Sequence, residues 1–81
     1  MIKTYRKVVT VDAEQFDESA SMIKRYKISQ PDSIAPEYVM SANTEDIAYL
    51  RKGDWIVTGE FGDHWPIRDE VFRSSYKEVH E

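Results

Sequence analysis

Residues 53–66, Gly-Asp-Trp-Ile-Val-Thr-Gly-Glu-Phe-Gly-Asp-His-Trp-Pro, hold all three glycines of the chain, both tryptophans and a histidine beside an aspartate. This stretch constrains the fold more than any other. Residues 54–60 put β-branched and aromatic side chains on both faces, the pattern of a central strand covered on both sides. Phe61-Gly62-Asp63 can close a short hairpin centred on Phe61 and Gly62, with Gly62 at positive φ. Residues 64–67 are the return strand. Pro66 lacks a backbone donor and restricts that strand to a sheet edge or a strand end.

The rest of the chain supplies elements that such a hairpin can join. Residues 5–16 alternate, with Val9, Val11 and Ala13 on one face and Thr10, Asp12 and Glu14 on the solvent side of a half-buried strand. Residues 17–27 change to helical spacing. Asp17 or Ser19 can cap this helix, and Glu18 suits its first turn. Met22, Ile23 and Tyr26 share a face, while Lys24, Arg25 and Lys27 face water or the helix C-terminus. Pro31 and Pro36 make residues 28–36 a loop. Residues 37–50 read as two strands around Asn43-Thr44-Glu45, where Asn43 tolerates a left-handed position, and residues 51–54 as a further turn. Residues 69–75 fit a last short helix capped by Asp69, and residues 76–79 an added edge strand. The expected fold is α+β in a single domain over 1–81. It comprises a small, curved, mostly antiparallel sheet of five or six strands, loosely barrel-like, with one packed helix and a short C-terminal helix.

At 81 residues the chain hides only roughly 60% of the surface its unfolded form exposes, so it has room for one small core. It contains no cysteine, which excludes a disulfide framework and thiolate metal clusters and suits a reducing compartment. No segment is apolar for long enough to span a membrane, and the basic N-terminus has no apolar signal core behind it. The chain therefore reads as complete and cytoplasmic. Residues 1–30 carry six basic and four acidic side chains, for +2. Residues 31–81 carry five and eleven, for −6, which gives the net −4. So acidic a C-terminal part repels phosphate and argues against nucleic-acid binding.

No catalytic signature emerges. A phosphate-cradling loop needs a glycine turn that opens a helix, but Gly53 precedes a strand and Gly62 lies between two, so these glycines punctuate strands. His64 follows Asp63 directly, and neighbours in a strand point to opposite faces. The other histidine, His80, is one residue from the end, and no ligand spacing points to a metal or cofactor. Ser74 and Ser75 sit late in a helix without an activating neighbour. Recognition is the better use of this composition, since tryptophan is enriched at binding hot spots. Trp55 reads as the central core filler. Trp65, near the edge set by Pro66, stays open between core and binding surface, where exposed Tyr5 or Tyr38 can join it in a patch. His64, Arg51, Lys52 and Arg68 flank it as candidate contacts.

Residues 53–76 resemble the C-terminal part of a family of small uncharacterised phage and prophage proteins. The shared pattern is Gly-Asp-(Tyr/Trp)-Ile-(Ile/Val)-x-Gly-x-x-Gly-(Glu/Asp)-x-(Tyr/Trp)-Pro, then an acidic residue, Phe and Tyr. This chain matches at Gly53, Asp54, Trp55, Ile56, Val57, Gly59, Gly62, Asp63, Trp65, Pro66, Phe72 and Tyr76, and earlier at Ala13, Gln15 and Phe16. It departs where members carry Lys-Lys-Pro before the first strand, and in the middle loop. The resemblance implies a phage or prophage origin and transfers no activity. The leading expectation is a non-enzymatic binding module acting on a host protein, a defence or replication component. One alternative is capture of a nucleotide signal, with Trp65 stacked on the base and Arg68, Lys52 or Arg51 at the phosphate. Another is a virion accessory. Monomer and homodimer both fit, the latter through pairing of residues 76–79 with a second copy.

Overall fold

The computed structural model describes residues 1–6, 10–34, 36–42 and 46–79. Its elements are β1 (Asp12–Gln15), α1 (Ala20–Arg25), β2 (Tyr38–Ala42), β3 (Asp46–Leu50), β4 (Trp55–Thr58), β5 (His64–Ile67) and α2 (Asp69–Ser75). All strand pairings are antiparallel, so the α+β class is as expected. The strands form two sheets, β1-β4-β5 and the hairpin β2-β3, and neither closes into a barrel. Asn43 and the turn around it, Val9 and His80 lie outside the described residues.

β4 is the central strand its sequence predicted. Ile56 and Val57 are both fully buried, one on each face. On the Ile56 side lies the main core, where Phe16, Met22, Ile28, Met40 and Leu50 pack with Ile23 and Tyr26 of the helical face. On the Val57 side, Trp55 and Trp65 lie under and beside α2. β5 is an edge strand, which accommodates Pro66.

β1 is shorter than expected and faces the other way. Register sets Glu14 opposite Ile56 and Ala13 opposite Val57. Glu14 therefore points to the α1 side, where it accepts a hydrogen bond from the Tyr26 hydroxyl at 2.8 Å and pairs with Arg25 at 2.9 Å, while Ala13 is exposed. The helix supplies donors that satisfy a carboxylate there, and one alanine gains too little from burial to outweigh them.

Ser19 is the N-cap of α1, accepting from the Met22 amide at 3.3 Å. Asp17 supports the cap from outside: the Ser19 hydroxyl, then the Ser19 amide donating to its carboxylate at 2.9 Å, hold its pKa low. Glu18 does not enter the first turn. It sits before the helix at φ +66° and accepts from the Tyr38 hydroxyl at 3.0 Å. The helix ends in a Schellman motif, with Ile28 N–H bonded to Ile23 O at 2.9 Å and Lys27 N–H to Lys24 O at 3.3 Å. Lys27 occupies the left-handed position at φ +55°, where glycine is favoured. Lys27→Gly should therefore raise stability by about 1 kcal/mol in urea unfolding. A loss would mean that the lysine makes a compensating contact.

The Gly53-Asp54 pair has a specific task. Gly53, at φ +97°, takes the third position of the turn over 51–54. Asp54 is buried, and its carboxylate accepts from the Arg51 amide at 2.9 Å while its own amide donates to Arg51 O at 3.0 Å. The same two residues anchor the end of β1: Gly53 N–H bonds Phe16 O at 2.9 Å and Phe16 N–H bonds Asp54 O at 2.8 Å.

The β4–β5 hairpin turns one residue earlier than predicted. Gly62 N–H bonds Gly59 O at 3.0 Å, so Glu60 and Phe61 are the central residues, and Gly62 follows at φ +81° as the bulge residue. Gly62→Val is expected to cost about 1–2 kcal/mol through backbone strain, since a Cβ there meets open space and the φ alone is at fault. An unchanged melt would refute this.

Candidate functional site: the cleft on the α2 face

α2 has seven residues, none of them buried, so its placement depends on a few side chains. The Trp55 indole stacks on Phe72 at 4.3 Å and 14°, and Phe72 stacks on Tyr76 at 5.0 Å and 18°. Asp69 joins this ladder to the sheet. It is the first helical residue rather than the cap, which is Arg68. Its carboxylate is turned inward, accepting from Trp55 Nε1 at 2.8 Å, Arg73 Nε at 2.7 Å and Gln15 Nε2 at 3.4 Å. Trp55 is thus half-buried and not the central filler. Phe16, Ile56 and the aliphatic residues around them fill the core instead.

The Trp55 indole, then Arg73, hold the Asp69 carboxyl below its ordinary 3.8. A carboxylate with a lowered folded pKa adds stability above the unfolded value and loses it as pH falls through the folded one. α2 should therefore loosen as pH drops below about 4, seen as a change in Trp55 fluorescence in a Trp65→Phe background. Asp69→Asn should flatten the response in that window. An identical acid titration would remove Asp69 from the linkage.

A cleft of about 900 Å³ runs between β1, α2 and the residues after it, lined by Ala13, Trp55, Phe72, Arg73, Tyr76 and Lys77 among others. A second, of about 300 Å³, adjoins it through Thr10, Val11, Ser75 and Tyr76 and reaches Gly59, Glu60 and Trp65. Register explains why both tryptophans are here: Trp55 and Val57 share a face, and Trp65 sits opposite Val57. The rings are diagonal neighbours across the hairpin. Gly59 is required beside Trp65, because a Cβ there would come within 3.0 Å of the indole and 2.8 Å of Asp63 Oδ1. Residues 76–79 form no strand and instead wall the larger cleft.

The candidate contacts do not assemble into one site. Trp65 lines the cleft. Arg51 and Lys52 are exposed in the turn before β4 and Arg68 is exposed after β5, all at the end of the sheet remote from Trp65. His64 points to the opposite face, where its Nδ1 lies 2.8 Å from Thr58 Oγ1 and its ring meets the Tyr26 ring edge-on at 5.1 Å. Of the exposed aromatics foreseen, Tyr5 is exposed, whereas Tyr38 is half-buried with its ring edge on Phe16 at 5.0 Å. Asp69, Arg73 and Lys77 went unread as site residues because helix capping and solvation account for such residues in sequence. The one available signal was the spacing of Asp69, Phe72, Arg73 and Tyr76 at helical intervals of three and four.

Ser74 donates to Val71 O at 2.9 Å as an ordinary helix back-bond. Among the described residues, no three His, Cys, Asp or Glu side chains are grouped to hold a metal, and no helix is long and apolar enough to cross a membrane. No protein-family model, curated protein or solved structure matches the chain.

Proposed function

We propose that the protein is a phage or prophage accessory protein that acts without chemistry. In this reading it binds a host protein along the α2 face of its sheet, within the cytoplasm of an infected or lysogenic host, in an anti-defence or host-takeover role. The observation that carries the binding reading is the pair of adjoining clefts that share Tyr76 and hold both tryptophans on one face. Trp and Tyr give large contact area at low entropic cost, and they are enriched where partners anchor. The origin rests on the resemblance over 53–76.

The test compares wild type with Trp65→Ala and with Ile34→Ala, a fully exposed control away from the cleft. Host proteins recovered by wild type and Ile34→Ala should be lost with Trp65→Ala while its melt shows a folded domain. Equal recovery by all three would overturn the reading. Nucleotides added at millimolar concentration should leave the indole emission unchanged. A saturable shift would favour ligand capture instead, with Arg73 and Lys77 as the cations beside Tyr76.

A further inference from the structure

The sheet edges differ in how well they exclude another chain. The free edge of β5 carries Pro66, which has no donor to offer. β1 is four residues long, includes Asp12 and Glu14, and borders the α2 cleft. The outer edge of β2 is bridged by Ser29, which exchanges two hydrogen bonds with Val39 at 2.8 and 3.1 Å. β3 has no such protection. Among the described residues it pairs with β2 alone, and Asp46–Leu50 contains neither proline nor lysine. Ala48 and Leu50 turn toward the core, which leaves Ile47 and Tyr49 on the outer face at 65% and 61% exposure. Unpaired backbone groups flanked by apolar side chains are a template for a further strand.

We propose that β3 pairs with β3 of a second copy, antiparallel about a two-fold axis at Ala48, joining two β2–β3 hairpins into a four-stranded sheet. The edge is complementary to itself in this register. Each Ile47 stands directly opposite the partner's Tyr49, so the two exposed apolar residues cover each other twice, as cross-strand pairs do. Charge selects the antiparallel sense. The strand starts at exposed Asp46, which the antiparallel register sets opposite the partner's Leu50. Parallel pairing would set Asp46 against the partner's Asp46. The surface is separate from the α2 cleft, so a dimer leaves both clefts open.

Sedimentation equilibrium of the full chain tests this. Mass should rise with concentration from 9.5 kDa to twice that, with dissociation between roughly 1 μM and 1 mM, as befits a small interface. Ile47→Lys alone and Tyr49→Glu alone should each stay at the monomer mass over that range, with melts unchanged at low concentration because both positions are exposed. Mixing the two variants should restore a dimer, because Lys then faces Glu in one pair while Ile47 and Tyr49 remain in the other. Wild type at the monomer mass up to about 1 mM would overturn the proposal. So would a mixture that stays monomeric, or a dimer that survives both single substitutions and disappears when residues 1–6 are removed.

Discussion

Phe16→Ala is expected to cost about 3–5 kcal/mol, the largest loss from any single truncation in this chain. A domain of this length has roughly 4–12 kcal/mol of total stability at about 0.05–0.15 kcal/mol per residue, so the variant should lose from about a quarter to all of it. Two features make the site unforgiving. The ring is fully buried among residues of α1, β2 and β4, in edge-to-face contact with Tyr38, so its loss leaves a void in the core. Its backbone is also the junction where β1 joins the turn over 51–54, through both hydrogen bonds to Gly53 and Asp54. Guanidinium unfolding followed by circular dichroism reads the loss. Phe16→Leu should cost about 1.5 kcal/mol or less, because volume is largely kept. Phe61→Ala, at an exposed turn position, should change stability by about 0.5 kcal/mol or less. A Phe16→Ala midpoint no lower than that of Phe61→Ala would place the core elsewhere.

Local signals in the sequence were enough for much of the fold. Trp55, Ile56 and Val57 put apolar side chains on both faces, and Trp55–Thr58 form the strand buried on both faces. Gly53 and Gly62 take positive φ, and Pro66 lies on an edge strand, each for a reason visible in the residue itself. What the sequence left open depended on partners distant along the chain. Glu14 alternates as a solvent residue, and only the position of Tyr26 and Arg25 turns it inward. Lys27 gives no hint of a left-handed helix end, because the preference it violates is overridden by the burial of Ile28, the next residue, in the core. Asp69 satisfies the pattern of a cap, yet the indole of Trp55, fourteen residues earlier, draws its carboxylate inward. Trp55 departs from the expected core position for a related reason. In a core this small, Phe16 with five aliphatic or thioether neighbours fills the space, which frees both indoles for the second face.

Trp55→Ala is expected to release α2 while the sheet stays folded, at a cost of about 2–3 kcal/mol, below the range for a fully buried tryptophan because Trp55 is only partly buried. The indole does two things for α2. Its face carries the Phe72–Tyr76 stack, and its Nε1–H satisfies Asp69 at the first turn. Without it, a seven-residue helix with no buried residue keeps the exposed Asp69–Arg73 pair, the Ser74 back-bond and the Phe72–Tyr76 stack, contacts that hold α2 together locally but do little to tie it to the sheet. The main core, by contrast, lies on the far face of β4 and makes no use of Trp55. Amide exchange separates these outcomes. Protection should fall to the level of an open chain at Phe72 and Tyr76, whose amides bond Arg68 O and Phe72 O, and should persist at Ile28 and Phe16. Trp55→Phe, which keeps the stack but loses the donor, should lose only part of the protection at Phe72, and the two chains should converge once pH falls below the lowered pKa of wild-type Asp69, where the carboxyl is protonated in both. Uniform loss at all four amides would instead mean that the two faces of β4 fold as a single unit. The cleft would then have no life apart from the core, and a partner seated against α2 would stabilise the whole domain rather than one helix.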